Sequence, residues 1–138
     1  MKPTGLIIII LIGLMGCAAP EEKNKGIALE MFDAFNKHDW NKMASYYSPN
    51  AEFLDPSFGL EYVTRTQSQT SNKYAGIQAM FPDIYDDIKE VYEDGDKVII
   101  EFISSGSSGD TIQFKLPIIT VLTFKDGKII RDATYYDQ

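Results

Sequence analysis

Glu93-Asp94-Gly95-Asp96-Lys97-Val98-Ile99-Ile100-Glu101-Phe102 is a tight turn running into a stretch of period two, and this stretch decides the fold. Val98, Ile100, Phe102 and Ser104 fall on one face of it, and Glu101 on the other. An Asp-Gly pair between two such runs predicts a β-hairpin, because the glycine takes the backbone conformation a short turn requires. Working outward, the same period covers Ile84 to Glu93, Lys97 to Ser105, Gln113 to Phe124 and Lys128 to Tyr136. Asp126-Gly127 predicts a second tight turn. Gly106 to Asp110 is a Ser/Gly loop that joins strand to strand and opens no helix, so it is read as a hairpin loop, not a phosphate cradle.

Upstream the period becomes helical. Ile27, Met31 and Phe35, with Ala28 and Phe32 beside them, recur at three- and four-residue spacing and predict an amphipathic helix ending near His38. Asp39 is placed to cap a short second helix whose apolar face is Trp40, Met43, Ala44 and Tyr47, with Ser48-Pro49-Asn50 ending it. Ala51 to Asp55 reads as a brief strand closed by Pro56, and Tyr62 to Met80 as a third helix stopped by Phe81-Pro82-Asp83. Helices followed by a run of strands give the α+β class, with helices packed on one face of a curved antiparallel sheet.

The chain has 138 residues, the size of one domain, and its 13 Lys plus Arg against 20 Asp plus Glu leave a formal charge of −7. No basic stripe offers phosphates a partner, so nucleic-acid binding is excluded as an expectation. A single cysteine, Cys17, forbids an intramolecular disulfide, and a single histidine, His38, removes most zinc and nucleophilic catalytic sets. No metal and no cofactor is expected. His38 is read as a solvated residue in the turn after the first helix.

Lys2 followed by the apolar run Gly5 to Met15 fits a signal-peptide core of roughly a dozen residues, too short for a membrane span of about 20. Leu14-Met15-Gly16-Cys17 resembles the lipobox of bacterial lipoproteins, which implies cleavage after residue 16, lipidation of Cys17, and attachment to the bacterial cell envelope on a periplasmic or surface face. Residues 17–25 then read as a tether and residues 26–138 as the folded domain. The acyl chains supply the membrane affinity, since an acidic body does not bind anionic lipid.

Ala34 to Trp40, Tyr47 to Pro56, Phe81-Pro82-Asp83, Asp94 to Val98 and Phe124 to Arg131 follow one another at spacings that resemble the SnoaL-like proteins of the nuclear transport factor two-like superfamily, to which ketosteroid isomerases and limonene epoxide hydrolases also belong. The resemblance implies a cone-shaped α+β barrel, a bent antiparallel sheet wrapped around the N-terminal helices and enclosing an apolar pocket, in a superfamily that often forms homodimers.

The same resemblance places Asp55 where the isomerases carry their general base, and turns Thr120, Leu122, Asp132, Thr134 and Tyr136 toward the pocket, with Arg131 and Tyr135 facing away. Met31 and Phe35 on the first helix and Val98, Ile100 and Phe102 on the strands complete the expected wall. Met31 and Thr120 stand where the isomerases have an oxyanion-stabilising tyrosine and a protonated acid, so dienolate stabilisation is not expected. The cyclases' acid and histidine, and the epoxide hydrolases' Asp-Arg-Asp set, are likewise incomplete. A purely structural dimer or partner subunit, pairing through the outer sheet surface, is one reading, and two readings that use the pocket stay open beside it. One is a lipid-anchored module binding a small apolar or amphipathic molecule through Asp55, Asp132, Thr134 and Tyr136; the other is a cofactor-independent cyclase or isomerase type of enzyme using Asp55 or Asp132 as acid or base. In either, desolvation is expected to raise the pKa of one of these two acids.

Overall fold

The computed structural model describes residues 23–137; the leader, Cys17 and the tether before Lys23 lie outside the described residues. Two helices come first, α1 (Lys23–Asn36) and α2 (Trp40–Ser45), then strand β1 (Tyr47–Leu54), a short 3₁₀ turn at Pro56–Phe58 and strand β2 (Val63–Arg65). Helix α3 (Gln67–Met80) leads into β3 (Tyr85–Asp94), β4 (Lys97–Ser108), β5 (Ile112–Lys125) and β6 (Lys128–Tyr135). The fold is α+β, with the helices on one side of a curved six-stranded sheet.

That sheet has the order β2-β1-β6-β5-β4-β3, with β2 and β3 at its edges, so it is open and not a closed barrel. It is also mixed. The expected hairpins from β3 to β6 are antiparallel, but β1 lies parallel to β6, with Phe53 opposite Asp132. A parallel neighbour needs a long crossover, which here is everything from the 3₁₀ turn to β5.

Each departure from the expected elements has a local cause. Helix α1 is already formed at Lys23, the first described residue and four residues before its apolar stripe, and Glu93 on β3 accepts the Asn24 and Lys25 backbone N–H groups at 3.3 and 2.8 Å. The helix ends at Asn36, and His38 takes the left-handed conformation (φ 56°) that closes it. Ser48-Pro49-Asn50 lies inside β1, at the register shift between Tyr47 and Glu52, where a residue without N–H disrupts no regular ladder. The expected third helix is cut at its start: Val63–Arg65 pairs with β1, and a capping box between Thr66 and Gln69 starts α3. Gly106 lies within β4, not in a loop. A Cβ there would stand 2.8 Å from the Phe114 ring, which packs edge-on against Phe81. The turn at Asp126-Gly127 has positive φ at both residues (51° and 74°), as a two-residue hairpin demands.

The core forms where α1 packs against β3 and β4 and its Ala28, Met31, Phe32 and Phe35 join the apolar side chains of the sheet's inner face. Val98, Ile100, Leu122 and Ile129 have no solvent exposure. Fully burying each such side chain is worth about 1.5 to 3 kcal/mol, so this layer fixes how the helices sit on the sheet. Among the described residues no helix is long and apolar enough to cross a membrane.

Candidate functional site

Strand alternation sets which face a residue takes, but not how far the helices reach along the strands. Under α1 the inner face is solid, and Val98, Ile100 and Leu122 are buried within it; they do not line the pocket as expected. Farther along the same strands, between the sheet and residues of α1 and α3, lies a cavity of about 370 Å³. Met31 and Phe35 of α1, Phe102 of β4 and Thr120 of β5 line it, as do Asp132 and Thr134 of β6 and Tyr136 just beyond. Phe32 meets Phe102 edge-on at 5.0 Å, and Leu116 and Ile118 extend the apolar wall.

Three carboxyl groups reach this cavity, each in a different environment. Asp55 follows β1 and caps the 3₁₀ turn: its Oδ1 accepts the Ser57 N–H (3.0 Å), the Ser57 hydroxyl (2.7 Å) and the Tyr136 hydroxyl (2.7 Å), and its Oδ2 pairs with Lys73 Nζ at 3.0 Å. Partial burial pushes its pKa up, but these donors and the Lys73 charge overcome that and hold it at about 2. Asp55 is therefore built as a cap and ion-pair carboxylate; it is not the raised acid, and a group so strongly ionised is a weak base.

Asp132 is only 7% exposed. Its Oδ2 accepts the Tyr47 hydroxyl at 2.7 Å, and its Oδ1 accepts the hydroxyls of Thr120 at 2.6 Å and Thr134 at 3.2 Å. Tyr47 is wholly enclosed, and burial followed by the Asp132 charge raises its pKa well above normal, so it stays a donor. Thr120, noted in the sequence for what it lacks, serves here to position Asp132.

The third acid, Asp86, was not among the candidates. It lies on β3 opposite Ser104 of β4 and is 6% exposed, and its Oδ1 is buried without a hydrogen-bond partner. The Asn36 side chain clamps its backbone, donating to Asp86 C=O at 2.9 Å and accepting from Asp86 N–H at 2.8 Å, which fixes the strand against α1. Desolvation pushes the Asp86 pKa up to about 7, against the opposing pull of the Ser104 hydroxyl. The signal was in the sequence: Ile84, Asp86 and Ile88 share one face of the predicted strand, and the burial of Ile84 places that face inside.

His38 stands outside the cavity. It occupies the turn as expected but is half-buried, not solvated: Nε2 donates to Ile84 C=O at 2.8 Å, Nδ1 accepts from the Gln78 amide at 2.8 Å, and the ring stacks on Trp40. Arg131 faces outward, paired with Glu52 at 2.7 Å and lying over the Tyr62 ring, and Tyr135 is exposed. Among the described residues no three His, Cys, Asp or Glu side chains converge to hold a metal ion.

Known proteins agree with this architecture. A protein from Catenulispora acidiphila with a ketosteroid isomerase-like fold, solved in complex with trimethylamine, is 24% identical with a TM-score of 0.71, over 87% of this chain and 88% of its own. A SnoaL-like protein from Jannaschia sp., provisionally a polyketide cyclase, is 20% identical with a TM-score of 0.73, over 87% and 90%. IdmH from Streptomyces antibioticus, also provisionally a polyketide cyclase, is 17% identical with a TM-score of 0.70, over 83% and 91%. At such identities the likeness is one of fold. No curated protein matches the chain. Residues 28–132 match the model of the SnoaL-like domain, most of the sequence and nearly all of the helix-and-sheet unit that builds the cavity, and the chain belongs to that family.

Proposed function

We propose that this chain is a small-molecule binding domain held at the bacterial cell envelope by a lipid on Cys17. The observation that carries the binding reading is the cavity itself: an apolar chamber of about 370 Å³, within the size range of ligand sites, with Asp86, whose buried Oδ1 has no partner, among its lining residues. An apolar occupant with one polar end suits both features. Support for the anchor comes from Leu14-Met15-Gly16-Cys17 after a short apolar run. Replacing Cys17 with Ser is expected to release the protein from the membrane fraction or leave an uncleaved precursor; unchanged fractionation refutes the anchor.

Binding is tested with the neutral probe N-phenyl-1-naphthylamine, whose fluorescence rises in apolar sites. Enhancement is expected in the wild type and its loss in Leu116→Trp, which fills the cavity. No enhancement in the wild type, or equal enhancement in both, overturns the reading.

Acid–base catalysis is the second reading, and the observation favouring it is Asp86. A buried carboxyl group with a pKa of about 7 can both accept and release a proton near neutrality, a task for which Asp55 is too acidic.

A further inference from the structure

Most hydroxyl donors of the cavity are already engaged with its own acids. Tyr47, Thr120 and Thr134 donate to Asp132; Ser57 and Tyr136 donate to Asp55. The one cation among the described lining residues, Lys73, pairs with Asp55. Beside the Tyr74 hydroxyl, what the wall still offers is chiefly acceptor capacity and negative charge. Asp86 carries a buried, unpartnered oxygen, and Asp132 is buried among hydroxyls with no ion pair among the described residues. Burying such groups is costly unless something that donates, or carries positive charge, meets them.

The rest of the wall is aromatic, and ring faces attract cations. Lys73 already shows the arrangement at the cavity mouth: its Nζ lies 3.0 Å from Asp55, 4.8 Å from the Phe58 ring centre and 5.1 Å from that of Tyr74. Around Asp86, Phe35 and Phe102 offer rings without a cation. A neutral carbonyl ligand would use Asp86 as a donor but would leave the charge of the chamber unanswered.

We propose that the occupant is an organic cation, a protonated or quaternary amine with an apolar body, its charge seated at Asp86 and its body against the Phe35 and Phe102 wall. This rests on the binding reading above and names its ligand class. The groups facing Asp86 are Ser104 from β4, Tyr47 from β1, Tyr74 from α3 and Asp132 from β6, with the Asp55–Lys73 pair beyond. Burial and the neighbouring acids raise both tyrosines, so they remain neutral. Asp86 is then the facing group that changes charge near pH 7, and cation capture should strengthen as pH rises through about 7.

The test compares benzyltrimethylammonium with its uncharged carbon analogue, neopentylbenzene, by displacement of N-phenyl-1-naphthylamine from the full chain. At pH 8 the cation is expected to bind about tenfold or more tightly than the analogue, and to weaken by about tenfold at pH 5.5. In Asp86→Asn the cation loses about tenfold and its pH dependence, while the analogue stays within about threefold. Equal displacement by both compounds in the wild type, or displacement by neither while the naphthylamine binds, overturns the inference and leaves the binding reading intact. A flat wild-type pH profile overturns it whether or not the Asn variant folds. Failure of the naphthylamine itself to bind removes the binding reading and the inference together.

Discussion

Asp86→Asn should stabilise the empty protein, and more so at alkaline pH. Asp86 has a folded pKa of about 7 against 3.8 for the free side chain, so the folded state holds the proton more tightly than the unfolded chain does. Stability from this group is therefore greatest below about pH 4, falls as pH rises, and levels off above about 7. At about 1.4 kcal/mol per unit, the shift sets an upper limit of roughly 4 kcal/mol on the cost of the ionised group. An unfolded Asp is already mostly ionised at pH 5, so roughly 2.5 kcal/mol of that cost accrues between pH 5 and pH 8. Asparagine keeps the shape and cannot ionise. Any penalty from its amide is the same at both pH values, so the difference between them isolates the charge. Urea unfolding of both proteins at pH 5 and pH 8 measures it. A benefit from the substitution about 2 to 3 kcal/mol larger at pH 8 is expected; a pH-independent difference, or one that shrinks toward pH 8, refutes the account of Asp86 as a desolvated acid.

Asp55 should behave in the opposite sense. Asp55→Asn is expected to cost about 2 kcal/mol at pH 7, and because the Asp55 pKa is depressed to about 2, that stabilisation is present above about pH 4 and lost as pH falls toward 2; urea unfolding at pH 7 and 2.5 checks both. Tyr47→Phe leaves Asp132 Oδ2 without its buried donor and should cost about 1 to 3 kcal/mol, read from the denaturation midpoint at unchanged m-value. Ile100→Ala should cost about 2 to 5 kcal/mol without changing naphthylamine affinity, because Ile100 lies in the solid core, whereas Phe102→Ala should change both.

Periodicity made the helices and hairpins legible because each buries one face, and burial leaves its period in the sequence. Ile27 to Phe35 and the Asp-Gly turns carry that record plainly. Two kinds of information left no such trace. The parallel pairing of β1 with β6 joins segments about eighty residues apart, so nothing local to either encodes it. The inner boundary of the cavity depends on how far α1 extends over the strands. Val98 and Phe102 have the same parity and the same apolar character, yet one is core and the other wall. Alternation narrows a site to a face, and packing then divides that face between filler and chamber.

Asp86 shows what a polar exception on an apolar face can mean. Asp55 stands before a proline, where an acid is a common cap, and the structure gives it that role with four donors from three residues and a lysine charge. Asp132 lies between hydroxyl-bearing neighbours that supply its hydrogen bonds. Asp86 sits between Ile84 and Ile88, with Ser104 as the one side chain that lowers its pKa and with one oxygen unpaired. Of the three acids it is the least compensated by the protein itself. A buried group left in that state lowers stability, and binding a ligand that satisfies it returns that free energy as affinity. The stabilising effect expected of Asp86→Asn in the empty protein and the loss of cation binding expected in the same variant are thus two measurements of one desolvated carboxyl group, and they should appear together.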